Sequence, residues 1–223
     1  MMTLVTVMLG AALTTGCVYQ GGDVNPLERK FTWYSYLNGD DLRSHCAIGQ
    51  PSTLRLVYNA IHTEQIRTYD ITIPNDGSDA LLQALVLGPP DLTKLGFDDF
   101  LAPWRGDKAT THLRKQDVVQ LWSTLENSKA FDPAPVGLFL TSEKFFWLTA
   151  ICRDGTFSYN AYVWPSDRFD AVQFSALLFA WDMTEIPVNT ARRATSLDIY
   201  GEANPRRKTG SYYQLSIDEN GLK

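Results

Sequence analysis

Apolar positions recur along the chain at spacings that predict its elements. From Thr53 to Ile61 they alternate, with Leu54, Leu56, Tyr58 and Ala60 opposing Arg55, Val57 and Asn59. Glu64 to Ile73 continues with Tyr69, Ile71 and Ile73 on one side. Period-two alternation puts successive side chains on opposite faces, so both segments predict strands of an antiparallel sheet with one wetter side. Asn75-Asp76-Gly77-Ser78 predicts a turn, and Ala80 to Leu87 fits a strand or a short helix, with its brevity and the Gly88-Pro89-Pro90 stop favouring the strand. Lys30 to Tyr36, rich in aromatics, also reads as a strand. Asp40 or Asp41 would then cap a short helical turn from Leu42 to Cys46.

The second half changes period. Val118, Leu121, Trp122 and Leu125 fall at helical spacing, predicting a helix that opens at Asp117 with a capping-box-like pairing and ends near Phe131-Asp132-Pro133. Lys144 to Cys152 and Thr156 to Trp164 predict two strands joined by an Asp154-Gly155 hairpin turn. The first is apolar on both faces and belongs inside the sheet. Pro165 and Ser166 would end the second strand and cap a helix from Asp167 to about Trp181. Ser196 to Tyr200 would pair with Tyr212 to Ile217. Leu92 to Asp107 has no regular pattern, but Phe97, Phe100 and Trp104 suggest a loop packed on the core. The expectation is an α+β fold, an antiparallel sheet with two main helices packed on one face.

The N-terminus has a different character. Leu4 to Leu13 is an uncharged apolar run, too short to cross a ~30 Å hydrocarbon core but suited to a signal peptide. It leads into Thr14-Thr15-Gly16-Cys17, which resembles the lipobox of bacterial lipoprotein precursors, where a small residue precedes a cysteine that becomes the acylated first residue. Thr14 departs from the usual leucine, and Met1-Met2-Thr3 lacks the usual positive charge. The resemblance implies signal peptide 1–16, a lipidated tether 17–29 and a periplasmic domain 30–223, which the pattern above makes a single α+β unit. It also implies lipidation at Cys17, the membrane as a partner through that lipid, and a place in the bacterial cell envelope. Val18, rather than Asp, after the cysteine favours the outer membrane.

Composition narrows the rest. With 44% hydrophobic and 20% charged residues the chain is globular rather than disordered. A net charge of −5 argues against a nucleic-acid partner. Arg192-Arg193 and Arg206-Arg207-Lys208 read as a solvated flank, or more sharply as a patch facing anionic headgroups. Giving Cys17 to lipid leaves Cys46 and Cys152 as an even pair in an oxidising compartment, so a disulfide between them is expected.

Chemical motifs are scarce. The sequence has no G-x-S-x-G, no Ser-x-x-Lys, no H-E-x-x-H and no P-loop, and it suggests no cofactor. His62 and Glu64 are the weak acid–base candidates. Ser44-His45-Cys46 sets a nucleophile beside a base, although adjacent residues seldom aim at one point. Asp40-Asp41 and Asp98-Asp99 read as turn or helix-start acids. Trp33, Tyr34, Tyr36, Tyr159, Tyr162 and Trp164 are candidates for a surface that seats an envelope protein or a glycan. The leading expectation is therefore an envelope-anchored lipoprotein, a non-catalytic interaction or structural module. The alternatives are a periplasmic hydrolase with a site assembled from distant residues, and a carrier of a small apolar or glycan ligand.

Overall fold

The computed structural model describes residues 33–89, 105–193 and 213–223. Cys17, residues 90–104, Ser196 to Tyr200 and the Arg206-Arg207-Lys208 cluster lie outside them. A helix α1 spans 33–38, followed by α2 (Asp40–Ser44). Then come β1 (Ser52–Ala60), β2 (Gln65–Ile73), β3 (Ala80–Leu87), β4 (Asp107–Leu113) and α3 (Lys115–Asn127). The remaining elements are β5 (Phe139–Thr141), β6 (Phe145–Arg153), β7 (Thr156–Val163), α4 (Asp167–Asp170), α5 (Phe174–Trp181), β8 (Gln214–Asp218) and β9 (Gly221–Leu222). The fold is α+β. Its centre is a six-stranded antiparallel sheet in the order β4-β3-β2-β1-β6-β7, beside a three-stranded sheet β5-β8-β9.

One face of the large sheet carries Leu54, Leu56, Tyr58, Tyr69, Leu82 and Trp147, covered by Leu121 and Leu125 of α3 and by Phe174 and Leu178 of α5. Those two helices are the main ones expected. The predicted helix from Asp167 to Trp181, however, is two. Phe169 and Phe174 are five residues apart, about 140° around a continuous helix, so one helix could not turn both to the core. A break between α4 and α5 lets both pack there. Ser166 caps α4 by accepting from the Phe169 N–H at 3.1 Å. The start of α3 also shifts: Asp117 is its third residue, and its carboxylate accepts from the Arg114 N–H at 2.9 Å. The helix stops at Asn127 rather than near Phe131.

The expected wetter side of β1 is not wet. Val57, Phe146, Leu148, Ala150, Tyr159 and Ala161 form a second core on that face, closed by Tyr36 and Leu37 of α1, Leu42 of α2 and Leu140, Ile217 and Leu222 of the small sheet. This layer corrects one expectation. The aromatic segment before Leu37 is helical from 33, because Trp33, Tyr36 and Leu37 at helical spacing share one face. The β8 strand pairs with β5 and β9, and Ser196 to Tyr200, its expected partner, lies outside the described residues.

The Asp154-Gly155 hairpin stands as expected. Asp154 and Gly155 have φ of 51° and 76°, the positive values that a two-residue turn needs to match strand twist. Cys46 and Cys152 are bonded, with Cα atoms 5.5 Å apart, fastening the chain after α2 to the end of β6.

Candidate functional site

The second layer covers β1, β6 and β7 and reaches Ile66 of β2 and Leu87 of β3. Among the described residues the rest of that face, over β2, β3 and β4, is uncovered, and a cleft of about 710 Å³ lies there. Its floor follows from register. Arg55 on β1 faces Asp70 on β2, Asp70 faces Gln83 on β3, and Gln83 faces Thr110 on β4. Flanking rows add Thr72 on one side and Thr68, Leu85 and Lys108 on the other. Thr72, Gln83, Lys108 and Thr110 are exposed. The wall is Trp33 and Tyr36 of α1 with Asp41, Leu42 and His45 at α2.

Arg55 organises this place. Its guanidinium is buried, donates from Nη1 and Nη2 to the two Asp41 oxygens at 2.7 and 2.9 Å, and donates from Nε to Asp70 Oδ1 at 2.7 Å. It also lies 3.6 Å from the Tyr36 ring centre and donates to the Tyr36 carbonyl at 3.1 Å. Tyr36 in turn donates its hydroxyl to Asp70 Oδ2 at 2.7 Å. A charged donor bonded to two carboxylates makes each contact stronger than a neutral pair. Burial works against the Arg55 charge, but Asp70, Tyr36 and Asp41 outweigh it and raise its pKa. Burial, then the Asp70 charge, push the Tyr36 phenol well above 10.0, so it remains a protonated donor. Trp33 stacks on Tyr36 with ring centres 5.3 Å apart and planes at 12°. The disulfide at Cys46 pins the chain one residue beyond His45, so this wall is tied to the sheet.

The sequence candidates are placed otherwise. His62 and Glu64 occupy the turn between β1 and β2, not a strand. Glu64 accepts from Arg192 at 2.8 Å and Asn189 at 2.6 Å, whereas His62 sets its ring edge against Tyr213, 5.3 Å away. Each has its own neighbours, and the two do not form a pair. Ser44 Oγ does approach His45 Nδ1 at 3.1 Å, but Cys46 is in the disulfide, which ends the Cys–His reading.

The six aromatics divide between the two faces of the sheet. Tyr36 and Tyr159 are buried under the small layer, with Tyr159 donating to the Leu37 carbonyl at 3.0 Å and Tyr34 to the Leu222 carbonyl at 2.6 Å. Tyr162 is buried on the other face, bonded to the Ser128 carbonyl at 2.9 Å, and Trp164 packs there too. They make no common surface; Trp33 and Tyr36 alone of the six line the cleft. Sequence reading passed over Arg55, Asp70 and Gln83 as sites. The available signal was a single arginine in an otherwise apolar run, which burial obliges to find acids.

A second buried network has a structural task. Arg67, 1% exposed, donates to Asp182 at 2.5 Å, to Gln65 Oε1 at 2.9 Å and to the Ile186 carbonyl. The Tyr69 hydroxyl and the Thr184 N–H also donate to the Asp182 carboxylate, at 2.8 and 2.9 Å, binding the chain after α5 onto β2. Among the described residues no cluster of His, Cys, Asp or Glu is arranged to hold a metal ion, and no helix is long and apolar enough to cross a membrane. Comparison of the chain with protein-family models, with curated proteins and with solved structures finds no match.

Proposed function

We propose that the protein is an envelope-anchored lipoprotein whose α+β domain acts as a non-catalytic binding module through the cleft over β2, β3 and β4. One observation carries the binding half of this reading. Among the described residues the large sheet is covered on one face and part of the other, and the part left open holds a cleft whose floor exposes the polar side chains Thr72, Gln83, Lys108 and Thr110. A volume of about 710 Å³ falls within the usual range of ligand sites, about 300–1,000 Å³. A binding site with few moving parts needs its polar groups held in place before the ligand arrives. Arg55, Asp41, Asp70 and Tyr36 hold one another in that way. The same pairing disfavours the hydrolase reading, since both cleft carboxylates are occupied by Arg55 rather than poised across an open gap.

The anchoring half rests on the apolar run and Thr14-Thr15-Gly16-Cys17. Two acyl signals hold a protein on a membrane where one is marginal, and lipidation of Cys17 would supply them on the outer or inner membrane. Fractionation of wild type against Cys17→Ala tests it: loss of membrane partition in the variant is expected, and equal partition refutes it. Co-purification after mild cross-linking tests the cleft. Gln83→Trp, which fills the cleft from an exposed position, should lose the component that wild type and Val119→Trp both retain. Retention by Gln83→Trp refutes the cleft as the binding site.

A further inference from the structure

The chemistry of the cleft restricts what it can hold. It lies on a sheet face, where the backbone N–H and C=O groups of β1, β2 and β3 are spent in ladders on both sides, and only β4, paired with β3 alone among the described residues, offers an edge beside it. An extended peptide added to a sheet is recognised through free main-chain groups at an edge, which a face does not offer. Recognition here falls to side chains. Their formal charges balance, Arg55 and Lys108 against Asp41 and Asp70, so the cleft has no net field to select a strongly ionic ligand. Its floor exposes Thr72, Gln83 and Thr110, which would strand polar groups beneath an apolar ligand.

The same groups suit hydroxyls. Asp41 Oδ1 and Oδ2 each accept one Arg55 N–H, Asp70 Oδ1 accepts another, and Asp70 Oδ2 accepts the Tyr36 hydroxyl. A carboxylate oxygen has capacity for a second donor. Gln83 and the threonines can both donate and accept, as a sugar hydroxyl does. Tyr36 is held between the Trp33 ring and the Arg55 guanidinium, so Trp33 is the aromatic side chain beside this floor, an apolar body of the kind that packs against pyranose rings.

Building on the cleft as a binding site, we infer that its ligand is a neutral, hydroxyl-rich glycan, seated on Thr72, Gln83 and Thr110 against Trp33. The test is calorimetric titration of the full chain in mild detergent with chitotetraose, cellotetraose, maltotetraose and mannotetraose. At least one should bind saturably with Kd below about 1 mM. Trp33→Ala and Gln83→Ala should each weaken it by about tenfold, with Val119→Ala unchanged. Raising NaCl from about 0.05 to 0.5 M should alter affinity by less than about twofold, because no ligand ion pair is broken. Circular dichroism checks that the variants fold, and the exposed Gln83 provides the readout if Trp33→Ala does not. No binding of any of the four, or equal binding by wild type and Gln83→Ala, overturns the glycan. If the sugars fail while Gln83→Trp still abolishes co-purification, the glycan falls and the binding module stands; if both fail, both readings fall.

Discussion

Breaking the Cys46–Cys152 bond should cost the domain a large share of its stability. The bond joins residues 106 apart. In the chain-entropy account, closing a loop of about a hundred residues removes about 4.7 kcal/mol worth of freedom from the unfolded chain, while engineered and natural bridges more often deliver about 2–4 kcal/mol. Both numbers exceed the ~1 kcal/mol typical of a point mutation. Urea unfolding of Cys46→Ala/Cys152→Ala against the oxidised parent measures the difference. With a denaturant slope of about 2 kcal/mol per molar, the midpoint should fall by roughly 1–2.5 M. The loss should also be local in effect. Cys46 follows the cleft-wall residue His45, so hydrogen exchange should quicken at 40–46 before it quickens in β2 or β3. A midpoint within about 0.3 M of the parent would refute the stability reasoning, as would a denatured, unreduced chain in which Cys46 and Cys152 both titrate as free thiols.

The Arg67–Asp182 pair yields a second prediction. Asp182→Ala leaves a buried guanidinium without its carboxylate and should lower unfolding free energy by about 3–5 kcal/mol; a loss under about 1 kcal/mol would contradict it. The pair also sets an acid limit. Burial alone raises the Asp182 pKa, but hydrogen bonds from Thr184 and Tyr69 and the Arg67 charge hold it below 3.8. A depressed carboxylate adds stability that is complete above its unfolded pKa and lost as pH falls through its folded value. Wild-type stability should therefore drop below about pH 4, with a flatter acid limb in Asp182→Asn; parallel limbs would exclude this contribution. Ser166→Ala removes the cap on α4 and should cost about 1 kcal/mol in thermal or urea unfolding, with no change taken as evidence that α4 does not need it.

Local pattern made much of this fold readable. Alternation located β1 and β2, brevity and the Gly88-Pro89-Pro90 stop located β3, and Asp154-Gly155 located the β6–β7 turn, because backbone geometry imposes those signals within a few residues. What escaped was set by distant partners. The burial of Val57 and Leu148 comes from a layer assembled out of α1, α2 and the C-terminal β8–β9 hairpin, elements with no local mark of where they dock. Tyr36 looked like a strand aromatic because side-chain type says little about context; its burial with Leu37 on a helix decides its conformation. The cleft was illegible for a similar reason. Arg55, Asp70, Gln83 and Thr110 are scattered over four strands and become one row only when the register is known. Conversely, His62 and Glu64 were attractive for their closeness in sequence, and the turn between β1 and β2 gives each a separate set of neighbours.

A photo-reactive benzophenylalanine placed at position 83 of the full chain, compared with the same group at exposed position 119 on α3, tests the cleft in intact producing cells. Binding through the cleft predicts a discrete, light-dependent adduct from position 83 and none of that mass from position 119. An adduct common to both positions, or one from 119 alone, would contradict it.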